Sequence, residues 1–156
     1  QNVLYPGHVV YDSMDGIPDD KKIEFPVAEA MQMGVSTGLA LAGYVPVTIY
    51  PRIDFLLLAM DQLVNHLDKL EVMSQGQFHP KVIIRTMLGA THPLDPGPQH
   101  SGDYVECLRL MLTNIVVVRL VSDYFNVTGT YQAALRREQS TLVVEIDTDK
   151  RHEYHR

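Results

Sequence analysis

Cysteine is almost absent from this chain. Among 156 residues only Cys107 carries a thiol, so no internal disulfide can form, and its apolar setting in VECLRLML reads as a helix core position rather than a nucleophile. A reducing, cytoplasmic location is the expectation. Basic runs are absent too. The net charge is −6 with a pI near 5.5, and the basic pairs Lys21 with Lys22 and Arg136 with Arg137 lie far apart, which argues against nucleic acid or an anionic membrane as partner. No apolar run approaches the ~20 residues of a membrane-spanning helix. Neither a glycine-rich phosphate loop nor a Cys/His spacing suited to zinc occurs, and Ser36-Thr37-Gly38 falls inside a helical pattern without the surroundings of a nucleophile elbow. Asn126-Val127-Thr128 matches a glycosylation acceptor, but nothing else points to secretion. There is no internal repeat and no low-complexity tract.

What is present is a chain with 46% hydrophobic residues, enough for one globular domain with a real core. We place that domain at residues 1–146 and read 147–156 as a polar, exposed tail. Apolar β-rich runs alternate with longer helical patterns, the signature of a mainly parallel sheet covered by helices on both faces. The fold class is therefore α/β, with three α/β/α layers. Strands are expected near Asn2 to Tyr5, Ile23 to Phe25, Val45 to Tyr50, Lys81 to Met87, Ile115 to Leu120 and Leu142 to Ile146. Helices are expected from Val27 to a stop at Gly43, from Asp54 as cap to Val72, from Tyr104 to Leu112 and within Thr130 to Arg137. The first half of the second helix is apolar nearly all round, so it should be buried on several sides. The stretch from Leu88 to Ser101 is rich in Gly and Pro and reads as loop.

One helix stands apart. In PVAEAMQMGVSTGLALAG, residues Pro26 to Gly43, a single carboxylate, Glu29, heads a run of small and apolar residues. Ala30, Gly34, Gly38 and Ala42 recur every four residues and so stack on one face. Interior glycines cost a helix roughly 1 kcal/mol each relative to alanine, so two of them suggest a close helix contact, in the chain or between subunits. Glu29 is either an acid favoured by the helix dipole and facing water, or a site residue beside that contact. In parallel sheets ligands bind at the carboxyl ends of the strands, where the loops after Phe25, Tyr50 and Met87 would lie. Glu29, Phe55 and His100 follow those loops. His79, His92, His152 and His155 fall in loop or tail and read most simply as solvated, with His152 and His155 open to adventitious metal.

Taken in order, PVAEAMQMGVSTGLALAG, DFLLLAMDQLVNHLDKLEVMSQGQ and GPQHSGD resemble the pyrimidine-binding domain of thiamine-diphosphate enzymes. The nearest likeness is to beta subunits of the decarboxylating component of 2-oxoacid dehydrogenases and to transketolase pyrimidine domains, over about residues 1–146. By this resemblance Glu29 is the glutamate that bonds a ring nitrogen of the cofactor's aminopyrimidine and promotes its imino tautomer. Phe55 is the aromatic packed on the pyrimidine ring, and His100 is an active-site histidine facing the substrate. Catalytic roles therefore fall to Glu29 and His100, and cofactor contacts to Glu29 and Phe55. Arg52 is a candidate for a substrate carboxylate or phosphate, because its planar fork suits both, and His92 is a second substrate-side candidate.

The chain also departs from the pattern. Met31 stands where these beta subunits usually have glycine, and the loop from Gly89 to Gly97 is proline-rich and includes His92 and Asp95. A substrate preference different from pyruvate is expected. No Gly-Asp-Gly motif occurs, and in the family that motif holds the diphosphate and magnesium. The resemblance thus implies a split enzyme. This chain would be the pyrimidine-binding subunit, thiamine diphosphate would lie at an interface, and an alpha-type partner would carry the diphosphate with magnesium. A heterotetramer is the simplest assembly, with Ala30, Gly34 and Gly38 at the contact between two copies of this chain. Transketolase-type transfer or 2-oxo acid decarboxylation is the expected chemistry. The alternatives are a beta-like subunit of a 2-oxoacid dehydrogenase complex, ranked lower because no docking domain follows, and a non-catalytic interaction protein that keeps the fold.

Overall fold

A computed structural model describes residues 3–6, 8, 10–89, 95–121 and 124–146, with the backbone alone at 124 and 125. Four strands form one all-parallel sheet: β1 (Val47–Tyr50), β2 (Ile83–Leu88), β3 (Val116–Val121) and β4 (Thr141–Ile146), in the order β1-β2-β4-β3. Their sequences are rich in Val, Ile and Leu, as strands buried on both faces must be. In register, Tyr50 lies beside Thr86 and Thr86 beside Val144. Alternation then sends Tyr50, Ile84, Leu142 and Val144 into the main core.

On that face lie α1 (Glu29–Leu41), α2 (Ile53–Leu56) and α4 (Val105–Met111), with the short α3 (Leu70–Met73) further along. They supply Met33, Ile53, Leu56, Val105 and Leu108 to the core. Burying side chains of this size stabilises by roughly 1.5–3 kcal/mol each. The other face is covered by α5 (Tyr124–Arg136) and by the N-terminal segment, whose Val3 and Val10 pack on Ile49. Here Arg85 of β2 forms a two-bond pair with the buried Glu145 of β4, at 3.0 and 3.1 Å. Tyr131 of α5 donates to Glu145 at 2.8 Å, and Arg85 donates to Ser13 at 2.6 Å. The expected α/β fold with helices on both faces of a parallel sheet is therefore borne out.

Several details differ from expectation. Residues 3–5 and 23–25 form no strand. Glu24 instead accepts hydrogen bonds from the backbone N–H groups of Val3, at 3.2 Å, and Leu4, at 2.9 Å, so the two segments are joined through a side chain and not a ladder. The helix expected from Asp54 to Val72 is interrupted. After α2 come a 3-10 turn (Leu57–Ala59), a widened π turn (Asp61–Leu67) and α3. Asp54 is not its cap, since Arg52 occupies that place. Ile53, Leu56, Ala59, Leu63 and Leu67 are buried, but Leu57 and Leu58 face solvent. Cys107, expected in the core, is exposed, because α4 turns Val105 and Leu108 inward instead.

The π turn has a visible counterpart. Asp68, fully buried just beyond it, accepts from the N–H groups of Thr113 (3.0 Å), Asn114 (2.8 Å) and Ile115 (3.1 Å), and from Lys69 Nζ at 2.6 Å. These bonds fix the turn that leads into β3. Burial opposes its ionisation, but the Lys69 ammonium and then the Asn114 and Thr113 donors outweigh burial and hold the carboxyl below its ordinary value. Gly43 ends α1 as expected, at φ 91°, with the N–H of Tyr44 bonded back to Leu39 O at 3.1 Å. No helix among the described residues is long and apolar enough to cross a membrane. The tail at 147–156 and His92 lie outside the described residues.

Candidate active site at the carboxyl edge of the sheet

Glu29 opens α1, and because α1 runs against the strand that follows it, the helix start sits at the carboxyl end of β1. A hydrogen bond marks the place: the Tyr50 hydroxyl, at the last residue of β1, donates to Glu29 O at 3.1 Å. Tyr50 is fully buried, and burial pushes its phenol well above the ordinary value, opposed by a hydrogen bond with Thr48 and aided to a lesser degree by the nearby Glu29 charge. It therefore stays a neutral donor. Glu29 itself is only 6% exposed, and among the described residues its carboxylate has no hydrogen-bond or ion-pair partner. With no partner among the described residues, the carboxylate is free to accept a donor supplied from outside. One turn on, Gln32 is also buried and donates to Thr48 Oγ1 at 2.7 Å and to Ile49 O at 3.0 Å, which ties α1 to β1.

The turn after β1 carries the next group. Arg52 Nη1 donates to His100 O at 3.1 Å, and the Asp54 carboxylate accepts from Gly102 N–H at 3.2 Å. The Phe55 and His100 rings meet edge to face, with centroids 5.5 Å apart and planes at 64°. Gly89, at the end of β2, closes the arrangement: a Cβ there would collide with Arg52 Nη1 and His100 O, so no larger residue fits. The structure thus brings Arg52, Phe55 and His100 together, with Glu29 at the same end of the sheet beside Tyr50.

Buried polar atoms without a partner mark the same region. Among the described residues they are Gln32 Oε1, Asp54 Oδ2, Thr86 Oγ1, His100 Nδ1 and Thr141 Oγ1. The first four lie on α1, on α2, on the later half of β2 and on the loop beyond it, whereas Thr141 begins β4 at the opposite end. Each unpaired atom costs about 1–3 kcal/mol, so their gathering calls for a functional account. Sequence reasoning missed Tyr50, Gln32, Thr86 and Asp54 as members of the site. For Gln32 a signal existed, since a polar residue one turn after Glu29 on the inward face of an apolar helix needs a partner.

The small-residue face of α1 packs on little among the described residues. A Cβ at Gly34 would meet only Gln62, and one at Gly38 would meet nothing within 4 Å. Beside it, Val27, Met31, Val35 and Leu41 are exposed. His79 is exposed as expected and lies 3.3 Å from Glu71. A groove of about 810 Å³ opens at the amino ends of β2 to β4, lined by Glu71, His79, Lys81 and Arg137 among others, remote from Glu29. There Lys81 Nζ donates to Leu135 O at 2.5 Å, satisfying a carbonyl in the last turn of α5.

Fold and site together define an α/β domain whose parallel sheet presents a buried acid, without a partner among the described residues, and a phenylalanine–histidine contact at its carboxyl edge. Comparison with known proteins gives that class its relatives. The chain is 28% identical over 127 residues to a pyruvate dehydrogenase E1 component subunit beta of Mesostigma viride, covering 81% of this chain and 38% of the relative. It is 31% identical over 133 residues to the chloroplastic subunit beta-3 of Arabidopsis thaliana, covering 84% and 31%. With the mitochondrial subunit beta-1 of Oryza sativa subsp. japonica it shares 25% over 134 residues, covering 85% and 34%. The resemblance to 2-oxoacid dehydrogenase beta subunits is borne out, and these proteins are homologues of the chain. It spans about a third of the length of these relatives. No family model matches it.

Proposed function

We propose that this chain is the pyrimidine-binding, beta-type subunit of a split thiamine-diphosphate enzyme that makes or breaks a carbon–carbon bond beside a carbonyl. The observation that carries the reading is the buried Glu29, whose carboxylate has no partner among the described residues, at the edge where Phe55 meets His100, in a homologue of pyruvate dehydrogenase beta subunits. The residues suit the pyrimidine half of the cofactor. Glu29 offers an acceptor for a ring N–H, Phe55 an apolar ring to lie against, and Gln32 Oε1 and Thr86 Oγ1, without partners among the described residues, lie at the same edge. Bound there, the cofactor would supply the carbanion chemistry that no side chain provides. Glu29 would hold the proton that sets the tautomer of the ring, and its burial would strengthen that bond. His100 would face the substrate and donate to a developing oxyanion or carry a proton, and Arg52, with N–H groups beyond the one given to His100 O, would hold a substrate carboxylate or phosphate. His92 is retained as a second substrate-side candidate.

The diphosphate and magnesium are assigned to an alpha-type partner, in keeping with the likeness to pyruvate dehydrogenase beta subunits. Two copies of each chain would form a heterotetramer through the α1 face at Ala30, Gly34 and Gly38. Neither nucleic acid nor membrane is among the proposed partners, and the exposed thiol of Cys107 suits a reducing compartment such as the cytoplasm. Between the two reactions, the names of the homologues favour 2-oxo acid decarboxylation, as in a dehydrogenase beta subunit, over ketose transfer.

Calorimetric titration of thiamine diphosphate with magnesium, into the chain alone and mixed with an alpha-type chain, tests this reading. Binding only in the mixture is expected, with turnover of a 2-oxo acid. Glu29→Gln should fold normally and lose activity by at least 10²-fold, the scale of losing one proton-handling group. Absence of binding in both samples, or full activity of the variant, overturns the proposal in favour of a non-catalytic interaction protein.

A further inference from the structure

The loop that carries His100 is held by its backbone on both sides of the imidazole. Ahead of the ring, His100 N–H bonds to Gly97 O at 3.1 Å, closing the 3-10 turn Pro98–His100. At the residue itself, Arg52 Nη1 bonds to the carbonyl, and two residues on, Gly102 N–H bonds to Asp54. Among the described residues, nothing bonds to the buried Nδ1 of the ring. With no bond to Nδ1 among the described residues, the direction of the imidazole follows from the backbone beneath it and from Phe55.

Arg52 and Asp54 carry opposite charges two residues apart, yet form no ion pair with each other. Each addresses the backbone of the opposite loop instead. The cost is visible at Asp54, whose Oδ2 is buried without a partner. One neutral N–H bond does not offset the desolvation of a carboxylate oxygen, so stability alone does not explain the placement. Phe55 follows directly on Asp54, which couples the grip on the loop to the ring that touches His100.

We propose that Asp54, together with Arg52, positions His100: the two side chains hold the backbone on either side of the imidazole and so fix the ring edge-on against Phe55. His100 as the substrate-facing group rests on the function proposed above, but the clamp itself is a property of this chain and is read without cofactor. Arg52 can serve both purposes, since only one of its N–H groups is committed to His100 O.

The test is NMR on the full chain, with the His100 ring signals assigned by comparison with His100→Gln. In the parent chain the Phe55 ring current displaces the His100 ring protons, and Gly102 N–H exchanges slowly. Asp54→Ala should accelerate Gly102 exchange at least tenfold and move the His100 ring signals toward those of free imidazole. Asp54→Asn keeps an acceptor oxygen for Gly102 and should restore both. Arg52→Ala should move the ring signals while leaving Gly102 protected, and it serves if Asp54→Ala does not fold. Unchanged His100 signals in both alanine variants overturn the clamp, as does failure of Asp54→Asn to restore what alanine loses. An intact clamp in a chain that binds no cofactor with its partner would leave this inference standing and remove the functional reading alone.

Discussion

Tyr50 shows how one hydroxyl links the helix that carries Glu29 to the strand that ends beneath it. Replacing it with Phe keeps the ring in the core and removes the hydroxyl with its bonds to Glu29 O and Thr48, so Tyr50→Phe should cost about 1 kcal/mol, read from urea unfolding. The alkaline limb of stability follows from the same residue. Its folded value lies above the unfolded value of about 10, so its contribution is complete below that pH and is lost as the pH rises further, because the unfolded chain releases the proton first. Tyr131 acts in the same direction, through burial and then the Glu145 charge, against a weaker pull from Arg85. Stability measured between pH 9 and 11 should therefore fall, and less steeply in Tyr50→Phe. At this scale the sequence was informative where a residue type is rare in its setting. An acid at the head of an apolar helix drew notice to Glu29, and an aromatic and a histidine after expected strand ends drew notice to Phe55 and His100. Asp54 escaped because an acid at a helix start has a commonplace explanation as a cap, and Tyr50 because a tyrosine closing a strand looks like any other core aromatic.

Among elements, those written as periodic apolar runs were legible, and those dictated by a distant side chain were not. The strands at Val47, Ile83, Val116 and Thr141 begin within two residues of expectation, since continuous β-branched runs have few other uses. The helix expected from Asp54 to Val72 broke, because local periodicity carries no record of the bonds that Asp68 makes 45 to 47 positions away. The expected strand at Ile23 to Phe25 failed for a similar reason, as Glu24 spends its carboxylate on Val3 and Leu4. Asp68→Ala should therefore be among the most damaging single changes in the chain. It strips three backbone N–H groups and an ammonium of their acceptor, at a cost of about 3–5 kcal/mol, measured by denaturant unfolding. The acid limb follows too. With the folded value held below the unfolded one near 3.9, the contribution of Asp68 is complete above that pH and disappears as the pH falls through the lower folded value. Asp68→Asn should flatten the loss of stability below pH 4.

For the whole molecule, the open side of α1 is the feature that asks for company. Val27 is 74% exposed, and Met31, Val35 and Leu41 lie exposed near a glycine with space above it. Gly38→Leu separates packing within the chain from packing between copies. With nothing within 4 Å of its Cβ, the substitution should leave the isolated chain as stable or more stable by up to ~1 kcal/mol, through helix propensity. If two copies meet at this face, it should also abolish their association in sedimentation velocity; an unchanged assembly would place the contact elsewhere. The widened turn at Asp61–Leu67 constrains the molecule in another way, because it lies between Phe55 at one end of the sheet and Asp68 at the other. Losing a single residue there would restore an ordinary helix, but it would rotate everything beyond by about 100° and draw it back by about 1.5 Å. Either Asp68 would leave the turn before β3, or Phe55 would leave His100. Divergence in this stretch is therefore expected to proceed by replacement alone, with gains and losses of residues confined to the loops, so its length should be the most stable ruler for placing distant relatives in register.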